Sequence, residues 1–443
     1  MSRPCRDRPA DGWGLSAGPH APDRWFRVVI GNDELMRTIE LDQLERRLSL
    51  IDGVPRVVVS GNVATPWGAV DAIDRSIASY RIYMLNAAAG VPERPGVIAE
   101  TSFVGVGMRR HPALSYVPSR LSMVPFLFTR SMPPDVVVLH CAPPREGLLS
   151  LGIEVNILPA AIEACRARGG LVIAVINSRM PYTFGDAQVE VEMVDFAVEM
   201  DFELVAAHSS PIDDSSRVIA ERIAGLIDDG ATLQLGIGAV PDSTLHALVG
   251  RRGLRVWSEM FSDGVLELDK HNALDEGHPL TASFCFGSRE LYDWVDQNSR
   301  VRMLRTEKTN SPALIAANRA MTSVNSALEV DLFGQANASR INARIHSGYG
   351  GQTDFIVGAL HSPGGQAFIA LRSWHPKADV STIVPLLDEP VTSFQQTAIV
   401  TEQGMAKLWG YDEKTQARHL IEQAAHPSVR AELWEEAKEL GLT

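Results

Sequence analysis

Three uninterrupted apolar runs constrain this chain most: Val57-Val58-Val59, Val136-Val137-Val138-Leu139 and Leu171-Val172-Ile173-Ala174-Val175-Ile176. A strand with one wet face alternates apolar and polar residues, whereas unbroken runs rich in β-branched side chains suit strands covered on both faces. Helix-like stretches such as 157–168 lie between the runs. That order predicts an α/β fold with open, mainly parallel sheets, their strands joined by crossover helices.

The pattern resumes further along. Ile219, Ile223, Leu226 and Ile227 lie at helical spacing over 217–229, and Gly230 is expected to end that helix. Thr232 to Leu235 then reads as a strand, Gly236-Ile237-Gly238 as a tight turn, Pro241 as a first-turn helix residue and Leu254 to Trp257 as the next strand. Parallel strands joined by a crossover point the same way, so the glycine turn and Glu259 should share one sheet edge. Ligands bind at that edge in open α/β sheets. Further strands are expected at Val301 to Leu304, Asp354 to Ala359, Ala367 to Leu371 and Ala398 to Val400, with terminal helices over 414–440 around Pro427.

A length of 443 residues exceeds what one core usually serves. The division expected is a flexible tail over 1–25, an N-terminal domain over 26–210 and a C-terminal domain over 211–443, with Ala207 to Ser216 as the linker. A net charge of −13 argues against a nucleic-acid surface. No stretch is apolar and long enough to span a bilayer, and the first residues lack the order of a secretion signal, so a cytoplasmic protein is expected. Cys5, Cys141, Cys165 and Cys285 have no metal-type spacing and read as reduced and mostly buried. The twelve histidines lack metal-protease spacing, and no metal is expected. There is no Walker loop, and Gly236-Ile237-Gly238 lacks the third glycine of the dinucleotide fingerprint. Gly14-Leu15-Ser16-Ala17-Gly18 spells a hydrolase nucleophile elbow, yet no strand precedes it and no helix pattern follows.

Four glycine-rich loops adjoin the expected strands: Gly61 to Pro66, Gly236 to Ala239, Gly348 to Gln352 and Pro363 to Gly365. Glycine lets backbone approach a ligand closely, and clustered N–H groups hold a phosphate or a developing oxyanion. One such loop is weak evidence; four together with Glu259 carry more weight.

Several longer segments follow in order: Gly236-Ile237-Gly238-Ala239-Val240-Pro241, Ser258-Glu259-Met260-Phe261-Ser262-Asp263-Gly264, the run from Asn325 to Asn337, the run from Ser347 to Phe355, and Thr401-Glu402-Gln403-Gly404. In these the chain resembles the acetyl-CoA hydrolase/transferase family, especially its 4-hydroxybutyrate and butyrate CoA-transferase branch. The resemblance runs from about Val57 to Leu440. It implies two α/β domains with the active site between them, a coenzyme A (CoA) thioester as substrate with a carboxylic acid acceptor, and no permanently bound cofactor. It also implies a homodimer, and makes Glu259 the match for the family's catalytic glutamate.

The same resemblance assigns the oxyanion and acyl site to the amide of Ile237, to Gly350 and Gly351, and to Asn310. It assigns CoA binding to Gly236, Gly238, Gln335, Asn337, Gly348, Gln352 and Glu402. Phe261, Phe333 and Tyr349 are candidates for keeping the site dry, and Asn177, Arg179 and Tyr182 for lining the acyl pocket. A free carboxylate, ionised below neutral pH, serves as a nucleophile without a separate base. The reaction implied is transfer of CoA between short- or medium-chain acids through a glutamyl-CoA thioester. Thioester hydrolysis is the alternative within enzymes, and a catalytically silent CoA-binding protein the alternative outside them.

Blander readings stand beside these. On spacing alone, a glutamate after a strand is more often a helix cap or a solvated acid. Gln335 and Asn337 equally suit a buried loop, and Glu402 a structural pairing. The chain also departs from its relatives at Lys407 and Trp409, where an acid and a cation are usual, which alters the ion pairing there, and at Pro143 to Gly147, where an acidic, histidine-containing turn is usual.

Overall fold

The computed structural model describes residues 36–206, 213–236 and 238–443. The main path of its ten-stranded first sheet is built from β1 (Arg37–Thr38), β2 (Arg56–Val59), β3 (Tyr80–Tyr83), β4 (Val97–Thr101), β5 (Leu114–Tyr116), β6 (Val136–Arg145), β7 (Leu171–Ile176) and β8 (Phe196–Glu199), with Leu148–Ser150 and Gln188–Glu190 added antiparallel off β6. The numbered strands lie in the order β1-β8-β7-β6-β2-β3-β4-β5, every pair parallel. Val57, Val58, Val136, Val137, Val138, Val172, Ile173, Ala174 and Val175 are fully buried, which is why their runs carry no polar residue.

The second sheet comprises β9 (Thr232–Leu235), β10 (Arg255–Val256), β11 (Met321–Asn325), β12 (Gln366–Ala370), β13 (Ala398–Val400) and β14 (Met405–Lys407). The order is β10-β9-β11-β12-β13-β14, parallel except for the terminal β13–β14 pair. The expected mainly parallel α/β architecture is what forms. One apolar cluster runs from the first sheet into the second, joining Val137 and Leu139 through Ile153 and Val155 to Cys285 and Leu233, so packing fixes the two α/β units against each other. No helix among the described residues is long and apolar enough to cross a membrane.

Most expected elements occur within a residue or two, but two differ. The stretch expected as a strand over Asp354 to Ala359 is part of a helix, Gln352–His361. It packs Thr353, Asp354, Phe355, Ile356, Gly358 and Ala359 into the interior; burial on nearly every side erases the helical period and leaves an apolar run. The helix expected to stop at Gly230 is Asp214–Ala224, with Asp213 as its cap accepting from the Ser216 amide and with Gly225 just beyond it. The expected tail, most of the linker and the boundary between 210 and 211 lie outside the described residues.

Candidate active site

The strands of both sheets deliver their carboxyl ends to one cavity of about 490 Å³. From the first sheet, Asn62 follows β2, Asn86 follows β3 and Phe103 follows β4; from the second, Gly236 follows β9 and Ser326 follows β11. All five line the cavity. Because β2, β3 and β4 are parallel neighbours, their post-strand loops necessarily emerge together, and the same holds for β9 and β11.

Glu259 enters this space from the end of β10. Trp257 bridges to Thr281, and the Glu259 carbonyl accepts from the amides of Ser283 at 2.8 Å and Phe284 at 3.0 Å, so the backbone on either side of the carboxylate is fixed. Asn310 Nδ2 donates to Glu259 Oε2 at 2.8 Å. The orientation of that amide is set in turn by the Thr309 hydroxyl, which donates to Asn310 Oδ1 at 2.8 Å. Asn310 is fully buried, and the Glu259 side chain is exposed only in part, where it meets the cavity.

The opposite wall is the glycine turn before the Gln352–His361 helix. Val104 N–H donates to Ser347 O at 2.6 Å and Leu121 N–H to Gly350 O at 3.0 Å, which clamps the turn onto the first α/β unit. Gly350 has φ +57°, a left-handed conformation that favours glycine. At Gly351 the requirement is space. A Cβ there would lie 2.0 Å from Glu259 Oε2 and 2.3 Å from Asn310 Nδ2.

Burial is the largest influence on the Glu259 carboxyl and raises it to about 7; the Asn310 hydrogen bond acts against this, and the buried Asp354 carboxylate adds to it. Asp354 is itself raised to about 6, by burial first, against the Ser122 hydroxyl and amide and Arg120. The expectation of a fully ionised nucleophile is therefore corrected: the free site holds a substantial neutral fraction at pH 7. If the ionised form is the reactive one, kcat/KM for a thioester substrate should rise roughly tenfold between pH 6 and 8. Asn310→Ala removes a bond to the charged form and should move the midpoint upward by about one to two units. A pH–rate series on both proteins checks this.

Among the residues singled out from sequence, Glu259, Gly236, Gly348, Gly350, Gly351 and Gln352 line the cavity, and Asn310 touches it through Glu259. The Nε2 of Gln352 is buried without a hydrogen-bond partner among the described residues. Ile237 lies outside the described residues. Gly238, with φ +124°, precedes the Ala239–Ala247 helix and lines a neighbouring groove.

Gln335 and Asn337 do not line the cavity; Asn337 is buried and donates to Glu329 at 2.8 Å and to the Arg340 carbonyl at 2.9 Å. Glu402 accepts from the Ser373 amide at 2.9 Å and from its hydroxyl, and these bonds hold its carboxyl below the usual range against the opposing effect of burial. Of the four glycine loops three meet at the cavity, while Gly365 packs against the Ala359 carbonyl instead. Arg179 and Tyr182 line a separate groove with Arg145. Tyr349 faces the cavity, whereas Phe261 is core.

Sequence reasoning gave no role to Asn62, Asn86, Asn156, Phe103, Phe284 or Phe355, all of which line the cavity, although Asn62 lies in a glycine loop and Phe355 in a motif that it singled out. A signal existed for the first two: Asn62 and Asn86 each follow an apolar strand by three residues, and both adopt φ +47°, a conformation asparagine tolerates better than most.

Residues 287–437 match the family model described as the acetyl-CoA hydrolase/transferase C-terminal domain. The chain is 36% identical over 418 residues to a 4-hydroxybutyrate coenzyme A transferase of Clostridium kluyveri, covering 89% of this chain and 96% of that one. Among solved structures, RipA from Yersinia pestis superposes with a TM-score of 0.85 at 26% identity, covering 92% of this chain and 98% of that one. A 4-hydroxybutyrate CoA-transferase from Porphyromonas gingivalis superposes with a TM-score of 0.77 at 30% identity, covering 91% and 98%. With its parallel sheets and the extent of these likenesses, the chain belongs to the acetyl-CoA hydrolase/transferase family.

Proposed function

We propose that the chain is an acyl-CoA:carboxylate CoA-transferase that carries CoA on Glu259. One observation supports this above the others: a carboxylate held by Asn310 and backed by Gly351 faces a cavity between two α/β units. The ionised carboxylate attacks the thioester carbonyl, the carbon–sulfur bond breaks, and the CoA thiolate leaves an acyl-glutamyl anhydride behind. The thiolate then attacks the glutamyl carbonyl and expels the first acid as its carboxylate. An acceptor carboxylate runs the two steps in reverse. Each tetrahedral intermediate carries an oxyanion, for which the backbone amides of Ile237 and the Gly350-Gly351 turn are the proposed donors. Thioester free energy is nearly conserved, so the proposal includes no ATP and no permanently bound cofactor.

A groove of about 420 Å³ continues from the catalytic cavity, the two sharing Ser326, Ala327 and Leu328. Gly238, Arg372, His375 and Lys377 line it. Cationic side chains and a helix N-terminus suit the phosphates of CoA, while the cavity that holds Glu259 takes the thiol end. Phe103, Phe284, Tyr349 and Phe355 surround the reacting carboxylate with apolar surface, which favours transfer over hydrolysis by limiting water. A homodimer in the cytoplasm belongs to the same reading; the buried free thiols of Cys141, Cys165 and Cys285 suit a reducing compartment. Incubating the protein with butyryl-CoA, with and without acetate, and following free CoA and acetyl-CoA separates the alternatives. Acetyl-CoA formation that greatly exceeds acceptor-independent CoA release supports the transferase, and the reverse supports a hydrolase.

A further inference from the structure

Behind the asparagines that line one side of the cavity lies a second carboxylate, Glu154, which is only 2% exposed. Asn62 Nδ2 donates to both of its oxygens, at 3.0 and 2.8 Å, and Asn156 Nδ2 donates to Oε1 at 2.6 Å. Asn86 Nδ2 then donates to Asn62 Oδ1 at 2.8 Å. Because a carboxylate only accepts, Glu154 fixes the direction of the whole chain and holds both donor amides toward itself. Asn62, Asn86 and Asn156 all line the catalytic cavity. Among the described residues neither Lys nor Arg lines it; Glu259, His346 and Tyr349 are its ionisable side chains.

We propose that Glu154 is a specificity-determining residue: its charge bars acyl groups with a second carboxylate, so the site takes acyl chains uncharged beyond the thioester carbonyl. This rests on the transferase reading above and names its substrate class. The carboxylate that reacts is accommodated at Glu259 by oxyanion donors. A carboxylate at the far end of the acyl chain would meet the asparagine wall with Glu154 behind it and, among the described residues, no lining Lys or Arg to pair with.

Burial is the main cause that raises Glu154 to about 7, with the Asn62 and Asn156 bonds opposing it and the Glu259 charge adding to it, so it is mostly ionised by pH 8. The titratable groups that interact with it from the second unit, among the described residues, are Glu259, Cys285 and Tyr292, and none of these is a standing cation. For two like charges about 6 Å apart at an effective dielectric near 20, the penalty corresponds to about 100-fold.

Butyryl-CoA and succinyl-CoA isolate the effect, because they differ by a methyl against a carboxylate at the same chain position. At pH 8 with acetate as acceptor, the wild-type chain should show kcat/KM about 100-fold higher for butyryl-CoA. Glu154→Gln keeps the shape but removes the charge, and should narrow that ratio at least tenfold, mainly by lowering KM for succinyl-CoA. A wild-type ratio within about threefold of unity overturns the proposal, as does an unchanged ratio in a Glu154→Gln protein that still uses butyryl-CoA. Should the variant not fold, product inhibition of the wild type decides: butyrate inhibiting far more tightly than succinate supports the proposal, and equal inhibition overturns it. If the wild type transfers CoA from neither thioester, the transferase reading itself fails, and the charge filter with it.

Discussion

Glu259→Ala is expected to lower acyl transfer by about 10⁴-fold or more while leaving the fold intact. Among the described residues the Glu259 side chain is the only carboxylate lining the cavity, so no neighbouring acid is placed to take over the proposed covalent role. Glu154 lies behind the asparagine wall, and Asp354 is fully buried and engaged by Ser122. The backbone bonds from Ser283 and Phe284 to the Glu259 carbonyl do not depend on the side chain, so local structure should survive. Removing a buried ionisable group should also leave thermal stability equal or higher at pH 8, where keeping that group ionised is costly. Steady-state transfer from butyryl-CoA to acetate, with a melting curve on the same sample, checks both parts.

Gly351→Ala should cost about 100-fold in kcat through a single added methyl group. Gly351 has φ −96° and ψ −3°, a conformation open to alanine, so backbone strain does not account for the glycine. Space does: the new carbon would sit 2.0 Å from the Glu259 carboxylate and 2.3 Å from the Asn310 amide. Both are side-chain ends rather than backbone, and Glu259 has the open cavity to move into, which spares the fold and misplaces its carboxylate. The expected signature is a near-native melting temperature with a large fall in kcat. A melting temperature lowered by ten degrees or more, with activity retained in the folded fraction, would assign this glycine to folding instead.

How far the sequence leads depends on whether a feature is local. The runs at Val57 to Val59, Val136 to Leu139 and Leu171 to Ile176 need only strand geometry and burial, and each forms at the expected place. Glu259 was also within reach, because β9 and β10 are parallel neighbours and must end at one sheet edge. The helix at Gln352–His361 was misread because burial on nearly every side removes the periodicity by which helices are recognised. The meeting of Asn62 and Asn86 with Glu154 was out of reach for a different reason. Asn62, Asn86 and Glu154 are separated by 24 and 68 residues along the chain, and only the stacking of β2, β3 and β6 with the loop that pairs with Phe284 brings them together. Gln335 and Asn337 belong to a motif that the sequence singles out, and both lie away from the cavity: the Gln335 amide donates to Asp331, and Asn337 sits in the short strand Ala336–Asn337.

The central claim is that Glu259 becomes covalently joined to CoA. It is tested most directly by mixing the protein with butyryl-CoA alone, with no acceptor acid, and measuring the intact mass and then the mass of the peptide containing residue 259. The expected result is a gain equal to CoA less one water on that peptide, lost on adding acetate and absent from Glu259→Ala. An enzyme that turns over butyryl-CoA and acetate yet shows no such adduct, or carries it on a different residue, would contradict the account.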